Sequence, residues 1–132
     1  MSANLTGLLN ITLNLAIKNT TTIISHVKYL LSNSTYAHLK NGLSCCQENY
    51  TIAKDNLSEA VNQITNNPSN KYNIDNATYA IYKARAMSVY CWNYCDLDNK
   101  SLYNPFLAKE DCNAKQLYHM ALMFLDKDTF ST

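Results

Sequence analysis

Apolar and small residues recur through the middle of the chain at alternating intervals of three and four positions. This spacing is typical of a helix that packs one face against other helices. The first stripe comprises Tyr36, Leu39, Leu43, Cys46, Tyr50, Ala53, Leu57, Ala60 and Ile64. The second comprises Ile74, Ala77, Ile81, Ala84, Ser88, Cys91 and Cys95. The pattern therefore predicts two long helices in succession.

Two further segments extend this pattern to both ends of the chain. The N-terminal stripe comprises Leu9, Leu13, Ala16, Thr20, Ile23, Val27 and Leu30, and the C-terminal one Leu107, Ala114, Leu117, Ala121 and Phe124. Turn-forming residues, with Pro68 and Pro105, separate the segments, and short connections favour antiparallel neighbours. We predict an all-α, antiparallel up-down-up-down four-helix bundle with helices at about 3–31, 35–65, 73–97 and 107–127.

The positions of the cysteines predict a covalent link between two of these helices. If the second and third helices fold back on each other, the facing layers place Cys46 opposite Cys91, which predicts a disulfide between these helices. Two alternatives stay open, namely a shift of one layer that pairs Cys46 with Cys95, and two buried free thiols. Cys45 and Cys112 are predicted to point outward, as free thiols or sites of intermolecular pairing.

The length, charge and hydrophobicity of the chain limit the classes of protein to which it can belong. A chain of 132 residues is long enough for one domain with its own core. The formal net charge is +1 and no basic cluster is present, so nothing favours a nucleic-acid partner. No apolar run approaches the roughly 18 residues that a membrane span needs. We therefore expect neither nucleic acid nor a membrane as a partner.

The asparagines indicate the cellular compartment in which the protein is made, because many of them begin a glycosylation sequence. The chain has 18 asparagines, and eight begin an Asn-X-Ser/Thr sequence, whereas chance would give about three. The eight are Asn4, Asn10, Asn19, Asn33, Asn49, Asn56, Asn76 and Asn99. Together with five cysteines they indicate a secreted glycoprotein, and the alternative is an asparagine-rich chain without glycans. Met1 begins no signal-peptide pattern, so we expect a mature form or a missing upstream segment.

Residues that could carry chemistry are few. Cys91 and Cys95 could bind zinc with Cys112 or His119, but the second pair that such sites favour is absent. His26, His38 and His119 fall on different helices without a catalytic constellation, and the chain has no glycine-rich phosphate loop. We therefore predict no metal, no cofactor and no enzymatic activity.

The segment Cys46-Gln-Glu-Asn-Tyr50-Thr-Ile-Ala53 is similar to the Cys-X3-Tyr-X2-Ala signature of the plant invertase and pectin methylesterase inhibitor family. The opening Ala3-Asn-Leu-Thr-Gly-Leu to Leu15-Ala16 resembles the first bundle helix of that family, and Asn104-Pro-Phe with Gln116-Leu and Ala121-Leu resembles its last turn and helix. Two features depart from the family. Its N-terminal helical hairpin has no counterpart here, and the loop Pro68-Ser-Asn-Lys71-Tyr72 replaces the compact Pro-Lys-Phe of invertase-directed members.

The resemblance implies inhibition by occlusion, in which a helical face of the bundle covers the active-site cleft of a secreted carbohydrate-active enzyme. Pectin methylesterase is the leading target and acid invertase, in the cell wall or the vacuole, is the alternative. An alternative of another class is a storage or pollen-type bundle without inhibitory activity. For the contact surface we predict residues off the seam of the third helix and at its start, namely Lys71, Tyr72, Tyr79, Tyr82, Lys83, Tyr90 and Asn93. The alternative is that these tyrosines only cover the flanks of the bundle.

Overall fold

The computed structural model describes residues 1–33, 35, 39–95 and 105–130, excepting the side chains of 93–94, 105–106 and 127–130. Within these ranges the chain forms four α-helices and no strand: α1 (Ala3–Ser32), α2 (Lys40–Asn66), α3 (Lys71–Tyr94) and α4 (Pro105–Phe130). Helices consecutive in the chain pack on each other, and α4 packs on α1. This closed ring is the predicted up-down-up-down bundle.

The core is built from the faces that the periodicity identified. Every seam residue predicted for α1 and α3 is buried, as is the α2 seam from Leu39 to Ile64. Tyr36, assigned to the same seam, lies outside the described residues, as does His38. Removing four continuous apolar stripes from water supplies the main driving force for this fold.

The seam of α4 differs from the prediction. Leu107, Ala114 and Ala121 are buried as predicted, but Leu117 and Phe124 are only partly buried. The residues that follow these two, Tyr118 and Leu125, occupy the core instead, as does Asp111. Polar partners inside the bundle permit this arrangement, since a buried hydroxyl or carboxylate is tolerated when it is hydrogen-bonded.

The helix ends shift by a few residues because of local capping. Asn33 Oδ1 accepts the Thr35 amide at 3.0 Å, a turn after α1, and α2 begins at Lys40 rather than at 35. Asn70 Oδ1 caps α3 by accepting the amides of Tyr72 and Asn73, so α3 begins at Lys71 rather than at 73. It ends at Tyr94 rather than at 97. Pro105 is the first residue of α4, a position where its missing N–H is harmless.

Two disulfides join α2 to the end of α3. Cys46 pairs with Cys91, as the layer count predicted, with Cα atoms 4.6 Å apart. Cys45 pairs with Cys95, with Cα atoms 5.6 Å apart, so the prediction of an outward-pointing Cys45 was wrong. Because α3 ends at Tyr94, the backbone turns at Cys95 and brings its sulfur to the flank of α2. The alternative pairing of Cys46 with Cys95 is excluded, and Cys112 is the exposed free cysteine.

The two bridges should stabilise the protein in a strongly non-additive way. Either one alone closes a loop of 45 or 50 residues, which contributes about 4 kcal/mol in the chain-entropy model. Once one is closed, the other closes a ring of only about five residues and adds roughly 2 kcal/mol. We expect Cys45→Ala/Cys95→Ala and Cys46→Ala/Cys91→Ala each to lower the free energy of unfolding by about 2 kcal/mol, and the quadruple variant by about 6.

Urea unfolding of the three variants and the unmodified protein measures these differences. Labelling of the unfolded, unreduced protein should find one free thiol per chain, that of Cys112. A quadruple-variant loss equal to the sum of the two single-bridge losses, or three free thiols, would contradict the paired arrangement.

Candidate functional site

One side of α3 carries a line of exposed tyrosines. At 100° per residue, Tyr72, Tyr79, Lys83 and Tyr90 fall within about 40° of one another around the helix axis. They span about 27 Å along the helix, since 18 residues rise by about 1.5 Å each. We name these four residues the tyrosine face. Tyr82 lies about 60° to one side of Tyr79, so it flanks the face rather than belonging to it.

The tyrosine face points away from the core. Tyr72 and Tyr79 are 72% and 70% exposed, and Tyr90 is 45% exposed. On the opposite side of α3, Ile74, Ile81 and four alanine or cysteine positions are buried. Tyr72 and Tyr79 leave most of their surface in solvent, and exposed aromatic residues are the type of residue that anchors protein interfaces.

Most residues predicted for partner contact lie together on or beside this surface. Lys71, Tyr82 and Lys83 are exposed, as are the three tyrosines of the face. The side chain of Asn93 lies outside the described residues. The predicted set therefore forms one surface along α3, and its role in binding stays a prediction.

The disulfide-linked end of the hairpin fixes how this surface is presented. Beside the bridges, Asn49 donates its side-chain amide to Cys95 Sγ at 3.3 Å. Covalent links at consecutive residues of α2 prevent α3 from rotating about its axis or sliding along α2. A surface held in this way loses little conformational entropy when a partner docks.

A buried polar cluster, which the sequence analysis missed, connects α4 to this hairpin. The Tyr50 hydroxyl donates to Asp111 Oδ1 at 2.8 Å and accepts from Trp92 Nε1 at 2.8 Å. Lys115 Nζ lies 2.7 Å from Asp111 Oδ2 and compensates its charge at the rim of the bundle. The cluster thus links α2, α3 and α4 through one phenol and one carboxylate. The sequence signal was an aspartate on the inner side of α4 four residues before a lysine.

A second buried phenol joins α4 to α1. The hydroxyl groups of Tyr118 and Thr20 are 2.9 Å apart, and both residues are fully buried. Burial raises the pKa of Tyr118, and the hydroxyls of Thr20 and Ser88 partly offset this effect. Burial and the adjacent Asp111 raise the pKa of Tyr50 far more strongly. Both phenols are therefore held in the neutral form.

A groove of about 720 Å³ lies between α3 and α4, the pair of consecutive helices that packs least closely. Arg85 and Val89 line it from α3. From α4 it is lined by Asp111, Cys112, Lys115, Gln116, His119 and Met120. The outward position predicted for Cys112 is confirmed, and His119 is exposed beside it.

The glycosylation candidates differ in accessibility. Asn4 is exposed in the first turn of α1, and Asn33 directly follows that helix. The other described candidates are partly buried within helices: Asn10, Asn19, Asn49, Asn56 and Asn76. Asn99 lies outside the described residues. Asn76 lies within about 40° of Tyr72 around α3, so a glycan there would share the side of the helix that carries the tyrosine face.

The structure excludes the zinc site weighed above. The sulfur atoms of Cys91 and Cys95 are in disulfides and cannot act as thiolate ligands. Among the described residues, no three His, Cys, Asp or Glu side chains form a metal-binding group. None of the described helices has an apolar stretch long enough to cross a bilayer.

The chain resembles proteins of known family. The family model of the plant invertase/pectin methylesterase inhibitor matches residues 1–124. No curated protein matches the chain by sequence. The crystal structure of a pectin methylesterase inhibitor from Arabidopsis thaliana superposes with a TM-score of 0.79 at 17% identity, covering 96% of this chain and 79% of that one. A mutant form of a pectin methylesterase inhibitor from Arabidopsis gives 0.78 at 18% identity, covering 96% and 80%.

The buried phenols predict how stability depends on pH. In the unfolded chain a tyrosine releases its proton near pH 10, whereas folding keeps Tyr50 and Tyr118 protonated. Above about pH 10 the folded state therefore holds more protons, and the free energy of unfolding must fall as pH rises. Tyr50, whose pKa is raised the more strongly, adds a slope approaching about 1.4 kcal/mol per pH unit, so Tyr50→Phe should remove this part of the pH dependence.

Urea unfolding between about pH 9 and pH 11 measures these slopes, with Cys112→Ser in every variant to prevent attack of a free thiol on the bridges. Tyr82→Phe is the matched control, because it makes the same substitution at a tyrosine that is 52% exposed. If the free energy of unfolding of Tyr50→Phe and of Tyr82→Phe depends on pH as that of the parent does, the Tyr50 phenol is not the cause of this dependence.

Proposed function

Because the chain belongs to the plant invertase/pectin methylesterase inhibitor family, we propose that it is a secreted inhibitor that occludes the active site of pectin methylesterase. Members of this family are inhibitors rather than enzymes. The inhibitor acts by binding alone, so no bond is made or broken on its side. The contact surface is the tyrosine face, with Lys71 and Tyr82 at its borders.

The observation that carries this proposal is the tyrosine face on a covalently fixed helix. Tyrosine provides a large contact area, loses little side-chain entropy and can donate a hydrogen bond into a polar cleft. Lys71 and Lys83 add two positive charges, and exposed Asp75, one turn after Lys71, adds one negative charge. The surface therefore keeps a net positive charge, which suits a cleft that contains carboxylates. A rigid convex helix of this kind can fill an elongated cleft that normally accepts a polymer.

Acid invertase is the second candidate target. Lys71 and Tyr72 begin α3 and are both exposed, which places a basic and an aromatic side chain together after Pro68. This resembles the Pro-Lys-Phe of invertase-directed members, but two residues intervene between Pro68 and Lys71. The longer loop favours pectin methylesterase. Similarity to two solved pectin methylesterase inhibitors at 17% and 18% identity supports the fold and does not decide the target.

We also propose that the protein works in the plant cell wall. Two disulfides are stable in an oxidising compartment and rare in the cytosol. Eight glycosylation sequences fit passage through the secretory route, and Asn4 is an exposed acceptor among the described residues. A storage or pollen-type bundle without a target would share these features, so inhibition itself has to be measured.

The purified protein should slow pectin methylesterase at mildly acidic pH, with acid invertase assayed in parallel. Replacement of Tyr79 by Ala should raise the inhibition constant at least tenfold, because loss of a central aromatic anchor typically weakens an interface by about 2 kcal/mol or more. Tyr72→Ala and Tyr90→Ala should each raise it, to a smaller extent, since they lie towards the ends of the face.

Tyr29→Ala is the matched control, because Tyr29 is 60% exposed on α1 and lies outside the proposed surface. Circular dichroism and the thermal midpoint verify that all variants fold. Failure to inhibit either enzyme supports the non-inhibitory bundle. Inhibition that survives Tyr72→Ala/Tyr79→Ala/Tyr90→Ala moves the contact surface to another helix.

Glycan occupancy at Asn76 should oppose inhibition. A glycan attached there would extend from the side of α3 that carries the tyrosine face and would keep a cleft from approaching it. Protein from a glycosylating host should therefore inhibit less than Asn76→Gln protein from the same host, while Asn4→Gln should make no difference. Mass spectrometry reports occupancy at each site. Full inhibition by protein with a fully occupied Asn76 would contradict the proposed surface.

A further inference from the structure

The groove between α3 and α4 has features of a ligand site separate from the tyrosine face. Its volume of about 720 Å³ is in the range of small-molecule sites in proteins. Val89 and Met120 provide apolar surface, whereas Gln116 and His119 offer hydrogen-bonding groups. Arg85 is about 140° from Tyr72 around α3, so the groove opens on a different side of the helix.

One positive charge in the groove, that of Arg85, is not compensated by an acidic side chain in the part of the chain that the structure describes. Asp111 is almost fully buried at its floor, and its charge is compensated by Lys115 at 2.7 Å and by the Tyr50 hydroxyl. Arg85 is exposed on the opposite wall, and no other described residue forms an ion pair with it. The guanidinium therefore remains available, and its fixed fork of donors matches a carboxylate.

We propose that this groove binds a small carboxylate ligand, held chiefly by Arg85. Two sources share this chemistry, namely a short oligo-uronate and a free organic polycarboxylate. The ring hydroxyls of a uronate would find donors and acceptors in Gln116 and His119. The proposal stands on the groove alone and does not depend on inhibition of any enzyme.

The chain contains its own reporter for occupancy. Cys112 lines the groove and is the free cysteine, so a bound molecule should slow its alkylation by iodoacetamide. We expect trigalacturonate to slow alkylation of the full-length protein and its methyl ester, which lacks the negative charges, to leave the rate unchanged. Citrate tests the second source: protection by citrate as strong as by the trimer identifies a general polycarboxylate site, and weaker protection identifies an oligo-uronate site.

Two variants with the same change in charge test the assignment to Arg85. Arg85→Gln should weaken trigalacturonate binding about tenfold, as loss of a charge-assisted hydrogen bond predicts. Lys18→Gln, on the exposed side of α1, should bind as the parent does. Isothermal titration calorimetry on the Cys112→Ser variant measures affinity without the reporter.

Three results would overturn the proposal. The first is equal affinity in Arg85→Gln and Lys18→Gln, and the second is equal protection by the acid and by its methyl ester. The third is absence of binding by any of the carboxylates at about 10 mM, the weak end of small-ligand affinities.

Discussion

The sulfur bridges between α2 and α3 lock the orientation of α3 that the packing of its apolar side favours. Bridges from the consecutive residues Cys45 and Cys46 reach positions one helical turn apart, so they fix rotation and translation together. With both bridges closed, the small residues Ala77, Ala80 and Ala84 are buried and the tyrosines lie outside. Presentation of a convex aromatic surface therefore follows from the covalent structure as much as from packing.

The fourth helix is held by other means. No bridge reaches α4, and its alignment depends on two buried phenols, one contributed by α2 and the other by α4 itself. Hydrogen bonds of this kind are directional, so they select one register where an apolar seam alone would tolerate several. The α3–α4 contact is looser than the contacts among the other consecutive helices, and the groove lies along it.

The spacing of apolar residues along the sequence predicted the helices and the faces on which they pack. The seams of α1, α2 and α3, the antiparallel order and the Cys46–Cys91 bridge all follow from residues recurring every 3.5 positions on average. Cys45 was misjudged because its partner lies where α3 has ended, so helical angles no longer apply. Tyr118 and Asp111 were missed because a count of apolar residues treats polar ones as surface. Their partners, Thr20 and Tyr50, are about 60 to 100 residues away in sequence.

The two candidate surfaces also differ in whether the sequence could predict them. Outward positions along one helix could be read from the sequence, so Tyr72, Tyr79, Lys83 and Tyr90 were identified before the structure. The groove could not, since it depends on the distance between two helices and on the pairing of Asp111 with Lys115. Both surfaces share α3, on sides roughly 100–140° apart. A ligand in the groove would therefore leave the tyrosine face uncovered. It would lie beside the border of the proposed contact surface, because Tyr82 is only about 60° from Arg85 around α3.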